Sequence, residues 1–141
     1  MQQKKLPITC LCSIYKNTNL NDFVLSIDSL YTQEYIPDEY VIVVDGPIEE
    51  KVNIFLDFLK EKENIFKIHY LKNNSGIGIS LSKGLMLCKN EFVARFDTDD
   101  LNLKNRLKNQ YDIFMKHTDI SIVGGHVIEF NKEFKQKYSF L

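Results

Sequence analysis

Net charge is almost absent from this chain, and that absence removes one class of partner at once. With 18 Lys and Arg against 19 Asp and Glu the balance is -1 at pH 7, and the pI is near 6.3. A general nucleic-acid binder needs a basic field to attract phosphate backbones, so no nucleic-acid partner is expected and any phosphate binding must be local. Long apolar runs are missing too: none approaches the roughly 20 residues that span a bilayer. Met1-Gln2-Gln3-Lys4-Lys5 leads into a strand pattern instead of a signal-peptide core, which gives a cytoplasmic expectation. Cysteine is scarce and odd in number, 3 in all. Cys10 and Cys12 lie two apart on one strand, beyond the Cβ spacing of about 3.8 Å that a disulfide needs, and Cys88 sits in an apolar helical stretch. Buried free thiols in a reducing compartment are expected. His69, His117 and His126 lack zinc-site spacing and read as structural. There is no internal repeat, no Pro- or Ser-rich linker and no low-complexity segment, so 141 residues, 44% hydrophobic and 26% charged, read as one soluble globular domain over 1–141.

What is present is an alternation of strands and helices. Pro7 to Ile14 is a short apolar run; Leu20 to Thr32 carries Phe23, Ile27 and Leu30 at helical spacing; Tyr40 to Val44 is a second buried strand, broken by Asp45-Gly46-Pro47. Glu49 to Lys62 repeats the helical pattern through Val52, Phe55, Leu56 and Leu59, and Phe66 to Leu71 reads as a third strand before Asn73-Asn74-Ser75-Gly76. A helix over about Ile77 to Cys88, a strand at Phe92 to Phe96, a helix through Leu107, Tyr111, Phe114 and Met115, and a further strand from Ile120 to Val123 with Gly124-Gly125 complete the pattern. Asn131 to Leu141 alternates weakly and is charged, which suits an edge strand or a connection to something that follows. Strands joined by helices predict an α/β, Rossmann-like, doubly wound and mostly parallel sheet with helices on both faces.

The most informative residues are Asp97-Thr98-Asp99-Asp100, where the run Phe92-Val93-Ala94-Arg95-Phe96 stops. Open α/β sheets bind ligands beyond the carboxyl ends of their strands. If the segment stays extended, Asp97 and Asp99 face one side with Cα atoms about 6.5 to 7 Å apart. Such a pair can hold one hard divalent ion whose shell is completed by water and phosphate oxygens. The plainer role for these acids is capping: Asp100 or Asn102 could cap a helix over Leu103-Lys104-Asn105-Arg106-Leu107. One cap suffices, however, and three acids in four residues repel one another unless a cation or solvent offsets it.

The same sheet edge would gather Ser13-Ile14-Tyr15-Lys16-Asn17, Asp45-Gly46 and Lys72-Asn73-Asn74-Ser75-Gly76-Ile77-Gly78. That inventory of an aromatic ring, hydrogen-bonding groups, glycine backbone, cations and a metal site suits a nucleoside diphosphate. Gly76-Ile77-Gly78 is neither the dinucleotide fingerprint nor a Walker loop, so neither a dehydrogenase nor a P-loop hydrolase is supported. A nucleotidyltransferase would want a glycine-rich, basic loop after the first strand, and Tyr15-Lys16-Asn17 lacks the glycines. Arg95 is expensive inside an apolar strand unless Asp97, Asp99 or a bound phosphate supplies its counter-charge.

These segments together, with Val43-Val44-Asp45-Gly46-Pro47, Ala94-Arg95-Phe96-Asp97-Thr98-Asp99-Asp100, Arg106-Leu107 and Ile122-Val123-Gly124-Gly125 in order, resemble the nucleotide-binding half of family 2 glycosyltransferases, the inverting GT-A enzymes. The resemblance implies a sugar moved from a nucleoside-diphosphate sugar, UDP-linked, to a glycan or lipid-linked acceptor, in polysaccharide biosynthesis. It implies Ser13 and Tyr15 against base and ribose, Asp45 accepting from the base, and Asp97 and Asp99 as the D-x-D site for Mg2+ or Mn2+, with Asp99 a direct ligand. Lys72 and Arg95 would assist. It leaves room for peripheral association of a longer enzyme with the inner membrane face. Inversion needs a general base, which relatives carry in an acceptor-binding half expected beyond Leu141. Glu129 is the conceivable substitute here, although an alternating strand makes it a solvated residue. A nucleotide- and metal-binding module without turnover is the alternative.

Overall fold

The computed structural model describes residues 3–130. Four strands and four helices alternate: β1 (Lys4–Ile14), α1 (Leu20–Tyr31), β2 (Tyr35–Asp45), α2 (Glu50–Lys62), β3 (Phe66–Leu71), α3 (Ile77–Leu87), β4 (Phe92–Arg95) and α4 (Arg106–Lys116). The strands pair in parallel in the order β3-β2-β1-β4. The chain therefore winds outward from β1 to β3, then crosses back through α3 to open the other side of β1. The order reverses at the β1/β4 seam, which is where an open α/β sheet forms its crevice.

Right-handed crossovers put helices on both faces once the winding reverses. On one face, Cys10, Cys12, Ile14, Tyr40, Ile42 and Val44 pack with Phe23, Ile27 and Leu30 of α1, Val52 and Leu56 of α2 and Leu107 of α4. On the other, Leu11, Val41, Val43 and Leu71 meet Leu81 of α3. Central strands covered on both faces read as continuous apolar runs, and Val41-Ile42-Val43-Val44 is one. Helix α3 comes close because it presents small residues, Ser80 and Gly84, to the sheet. A Cβ on Gly84 would stand 2.5 Å from Leu11 Cδ1 and 2.8 Å from Val43 Cγ2.

β2 begins earlier than its apolar run. Tyr35 to Pro37 pair with Lys4 to Leu6, and the register shifts between Leu6 and Thr9. Pro37 is accommodated because β3 does not start until Phe66, opposite Tyr40, so β2 is an edge strand there. Cys10 and Cys12 are buried free thiols, as expected, whereas the free thiol Cys88 is only half-buried, and burial pushes Cys10 up to about 12. Two expectations need correction. The residues from Ile120 to Val123 form no strand: a ladder exists only where a neighbour supplies the hydrogen bonds, and among the described residues this stretch has no strand partner. Glu129 is correspondingly not on a strand. The reading of Asn131 to Leu141 lies outside the described residues.

At the opposite edge from the carboxyl ends, Glu39 is buried and well partnered. Its Oε2 accepts from Thr9 Oγ1 at 2.5 Å and from the Lys89 amide at 2.8 Å, while Lys67 Nζ lies 2.5 Å from Oε1. It thereby ties the end of α3 to β1, β2 and β3. Burial alone would raise its carboxyl, but the Lys67, Thr9 and Lys89 donors win and hold it below the ordinary 4.5. A carboxyl lowered by folding stabilises the protein above its unfolded value, and that contribution is lost as pH falls through the folded value. Glu39→Gln is therefore expected to cost about 1–3 kcal/mol at pH 7, and to flatten the decline in stability below pH 4.5; urea unfolding of both proteins across pH 3 to 7, roughly the span over which a carboxyl titrates, checks it.

Candidate functional site

β4 ends at Arg95 opposite Leu11, short of the end of β1 at Ile14, so the following residues run over the sheet edge beside Ser13. Phe96 continues the pairing, its amide donating to the Leu11 carbonyl at 3.1 Å, and its ring is buried in the core. From Asp97 the chain turns, with the Asp100 amide approaching the Asp97 carbonyl at 3.3 Å. The acids therefore stand on a turn, not on the extended segment that would have spaced them along one side. The turn is fastened from α1. Ser26 Oγ donates to the Asp97 carbonyl at 2.8 Å, and the Asn102 amide donates to Ser29 Oγ at 3.0 Å. Neither Asp100 nor Asn102 caps α4; the residue before that helix is Asn105, in the left-handed region at φ 66.

Over the β1/β4 seam lies a cleft of about 540 Å³. It is lined by Ser13, Tyr15, Asp45, Asp97 and Asp99, together with Thr98, Asn74, Gly76 and Ile77. Ser13 Oγ sits 2.6 Å from Ser80 Oγ, linking β1 to α3, and Tyr15 is 45% exposed, its ring open to the cleft. Asp45 is buried, and its two oxygens accept from the Ser75 amide at 2.7 Å and the Gly76 amide at 2.9 Å. A carboxylate oxygen has a second lone pair, so this clamp on the β3–α3 loop leaves acceptor capacity toward the cleft. Gly46 makes the clamp feasible: it takes φ +86, and a Cβ there would stand 2.7 Å from the Asn74 nitrogen.

Lys72 is exposed and lies outside the lining of the cleft. Arg95 is also exposed, not buried in an apolar strand, and its Nη2 meets Asp97 Oδ1 at 2.5 Å, which realises the expected counter-charge. It lines a second, adjoining cavity of about 740 Å³ built from the acid turn, α4 and the stretch from Val123 onward. Sequence reasoning passed over Thr18, Asn19 and Asp22, which also line the cleft. Their signal was available: Asn19 caps α1, accepting from the Asp22 amide at 3.2 Å, in the Asn-x-x-acid pattern that marks a helix start.

The cleft is consequently acidic. Asp22, Asp45, Asp97 and Asp99 border it, and among the described residues no Lys or Arg does. Asp100, just outside, is raised by burial and then by the Asp97 and Asp99 charges. Among the described residues no three His, Cys, Asp or Glu side chains converge as a ready-made metal cage. Two carboxylates with open space before them fit a hard divalent ion that keeps phosphate oxygens and water in its shell.

The sequence pattern described as Glycosyl transferase family 2 matches residues 14–140. The chain belongs to glycosyl transferase family 2. It is 34% identical over 105 residues, 74% of this chain and 38% of the relative, to a UDP-Gal:alpha-D-GlcNAc-diphosphoundecaprenol beta-1,3-galactosyltransferase of Escherichia coli. It is 31% identical over 127 residues, 90% of this chain and 47% of the relative, to the amylovoran biosynthesis glycosyltransferase AmsE of Erwinia amylovora. The chain thus spans less than half the length of these curated relatives. Its fold matches the crystal structure of S. aureus TarS with a TM-score of 0.68 at 23% identity, over 86% of this chain and 23% of that one. The family 2 glycosyltransferase fold expected from the motifs is the one observed.

Gly46→Ala is expected to lower stability by about 1–3 kcal/mol through strain and the approach to Asn74. It should also speed amide exchange at Ser75 and Gly76, whose protons the Asp45 carboxylate holds; residue-resolved hydrogen exchange distinguishes this from uniform loosening.

Proposed function

We propose that this chain is the donor-binding portion of a metal-dependent glycosyltransferase that moves a sugar from a UDP-linked donor to a glycan or lipid-linked acceptor with inversion. The observation that carries the reading is the acidity of a nucleotide-sized cleft at the sheet's switch point. Four aspartates and, among the described residues, no cationic side chain border it, so a pyrophosphate enters with a positive ion between itself and the protein.

Each residue then has a task set by its position. Tyr15 offers an aromatic face and Ser13 a hydroxyl to the nucleoside, and Asp45, held by the two loop amides, accepts from the base. Asp97 and Asp99 hold Mg2+ or Mn2+. When bound, such an ion supplies Lewis-acid stabilisation of charge on the departing nucleoside diphosphate. The Ser26 hydroxyl and the Asn102–Ser29 bonds keep the acid turn from drifting, and a preorganised turn costs less to organise at the moment of reaction. Lys72 and Arg95 assist from outside the cleft. The general base lies in an acceptor-binding part; Glu129 is exposed and borders neither cavity, so it is not offered for that role.

No helix among the described residues is long and apolar enough to cross a membrane. Cytoplasmic action, with peripheral contact of a longer enzyme at the inner membrane face, is part of the proposal. The acidic cleft would serve equally a module that binds nucleotide and metal without turnover.

Calorimetric titration with UDP is expected to give binding with Mn2+ present and affinity at least about tenfold weaker without it, a difference of roughly 1.4 kcal/mol. Asp99→Ala should abolish the Mn2+ dependence while leaving the fold intact. Equal UDP affinity with and without the ion contradicts the reading. Donor turnover with Mn2+ separates the transferase from the turnover-free module.

A further inference from the structure

Among the described residues Asp97 is the one that borders both cavities, and across it the charge changes character. Among the described residues, the charged side chains on the cleft side are all acidic. On the other side three cations, Arg95, Lys104 and Arg106, line the second cavity together with Asp100. The Arg95 guanidinium reaches from that cavity to Asp97 Oδ1 at 2.5 Å, an exposed contact with both side chains partly in solvent. The backbone on either side is fixed. Ser26 holds the Asp97 carbonyl at 2.8 Å, and Arg106 Nη2 donates to the Arg95 carbonyl at 2.8 Å. Arg106 is committed to that duty by further bonds to Asn102 Oδ1 and to Gln110 Oε1, whereas the Arg95 side chain has Asp97 as its ion-pair partner.

We infer that Arg95 is an internal stand-in for the divalent cation: it neutralises Asp97 before loading, and releases it toward the second cavity when an ion and a diphosphate take the carboxylate. This rests on the reading of Asp97 and Asp99 as the cation site. Three acids in four residues would otherwise repel one another, and a guanidinium on the outer side is the nearest charge that offsets this. Because the pair is exposed, it is weak enough to exchange. The motion needed is confined to side chains, since the carbonyls of both residues are pinned. Arg95 is therefore a positioning residue that sets cation affinity, and its release adds a free guanidinium to the cavity beside the donor cleft.

Mn2+ titration of the 141-residue chain, followed by the electron spin resonance of the free ion, tests this without any transfer assay. Arg95→Gln is expected to bind Mn2+ on the order of two- to fivefold tighter than wild type, the range an exposed ion pair supplies. Arg95→Lys, which keeps the charge, should stay at the wild-type value. Unchanged or weaker binding in the Gln variant, or equal tightening in both variants, overturns the inference. Phenylglyoxal labelling gives a reading on the unmutated protein: Arg95 should react faster when Mn2+ and UDP are added, and slower or unaltered labelling overturns it. Wild type that binds no Mn2+ at all defeats the cation-site reading itself, an outcome distinct from the other failures.

Discussion

The pairing of β4 onto β1 is the constraint on which the site depends. β4 is short, Phe92–Arg95, and stops opposite Leu11. Because the chain has already wound away from β1 toward β3, this late return leaves the β1/β4 seam uncovered by any direct connection. The acid turn and the Tyr15 loop face each other across that gap. Every other feature of the cleft is a means of holding these two edges in place: Ser26 from below, Ser80 from α3, and the Asp45 carboxylate on the neighbouring loop. Slipping β4 by a single residue would turn Phe96 out of the core and carry the aspartates away from the seam.

Electrostatics is also what the proposed partner rests on. A cleft bordered by Asp22, Asp45, Asp97 and Asp99 repels a bare pyrophosphate, and the guanidinium of Arg95 is paired with Asp97. On the proposed function, phosphate affinity comes from an added ion, and donor and cation are then coupled. This differs from glycine-rich phosphate loops, where backbone amides face the anion. Here the comparable amides, Ser75 and Gly76, are turned to Asp45 instead.

Much of this was legible in the chain. Helices α1, α2 and α3 begin and end within a residue or so of their periodic patterns, because an amphipathic face records burial directly. The D-x-D element and the polar loops after β1, β2 and β3 declared the sheet edge. What was not legible depended on partners distant in sequence. Glu39 looks like an exposed residue at a strand start until Thr9, Lys67 and Lys89 are folded around it. Ile120 to Val123 has the composition of a strand but, among the described residues, no neighbour to pair with. Lys72 and Arg95 have the right chemistry for phosphate, yet the exits of β3 and β4 carry both outside the cleft. Side-chain type predicts what a loop can do, whereas register decides which way it faces.

The central claim is that Asp97 and Asp99 grip an ion that in turn grips a diphosphate. A crystal structure of this chain grown with UDP and Mn2+ tests it most directly. The account predicts manganese bound by carboxylate oxygens of Asp97 and Asp99, with the pyrophosphate completing its shell and the uracil beside Tyr15 and Asp45. Nucleotide bound elsewhere, or Asp97 still on Arg95 with no ion at the turn, would contradict it.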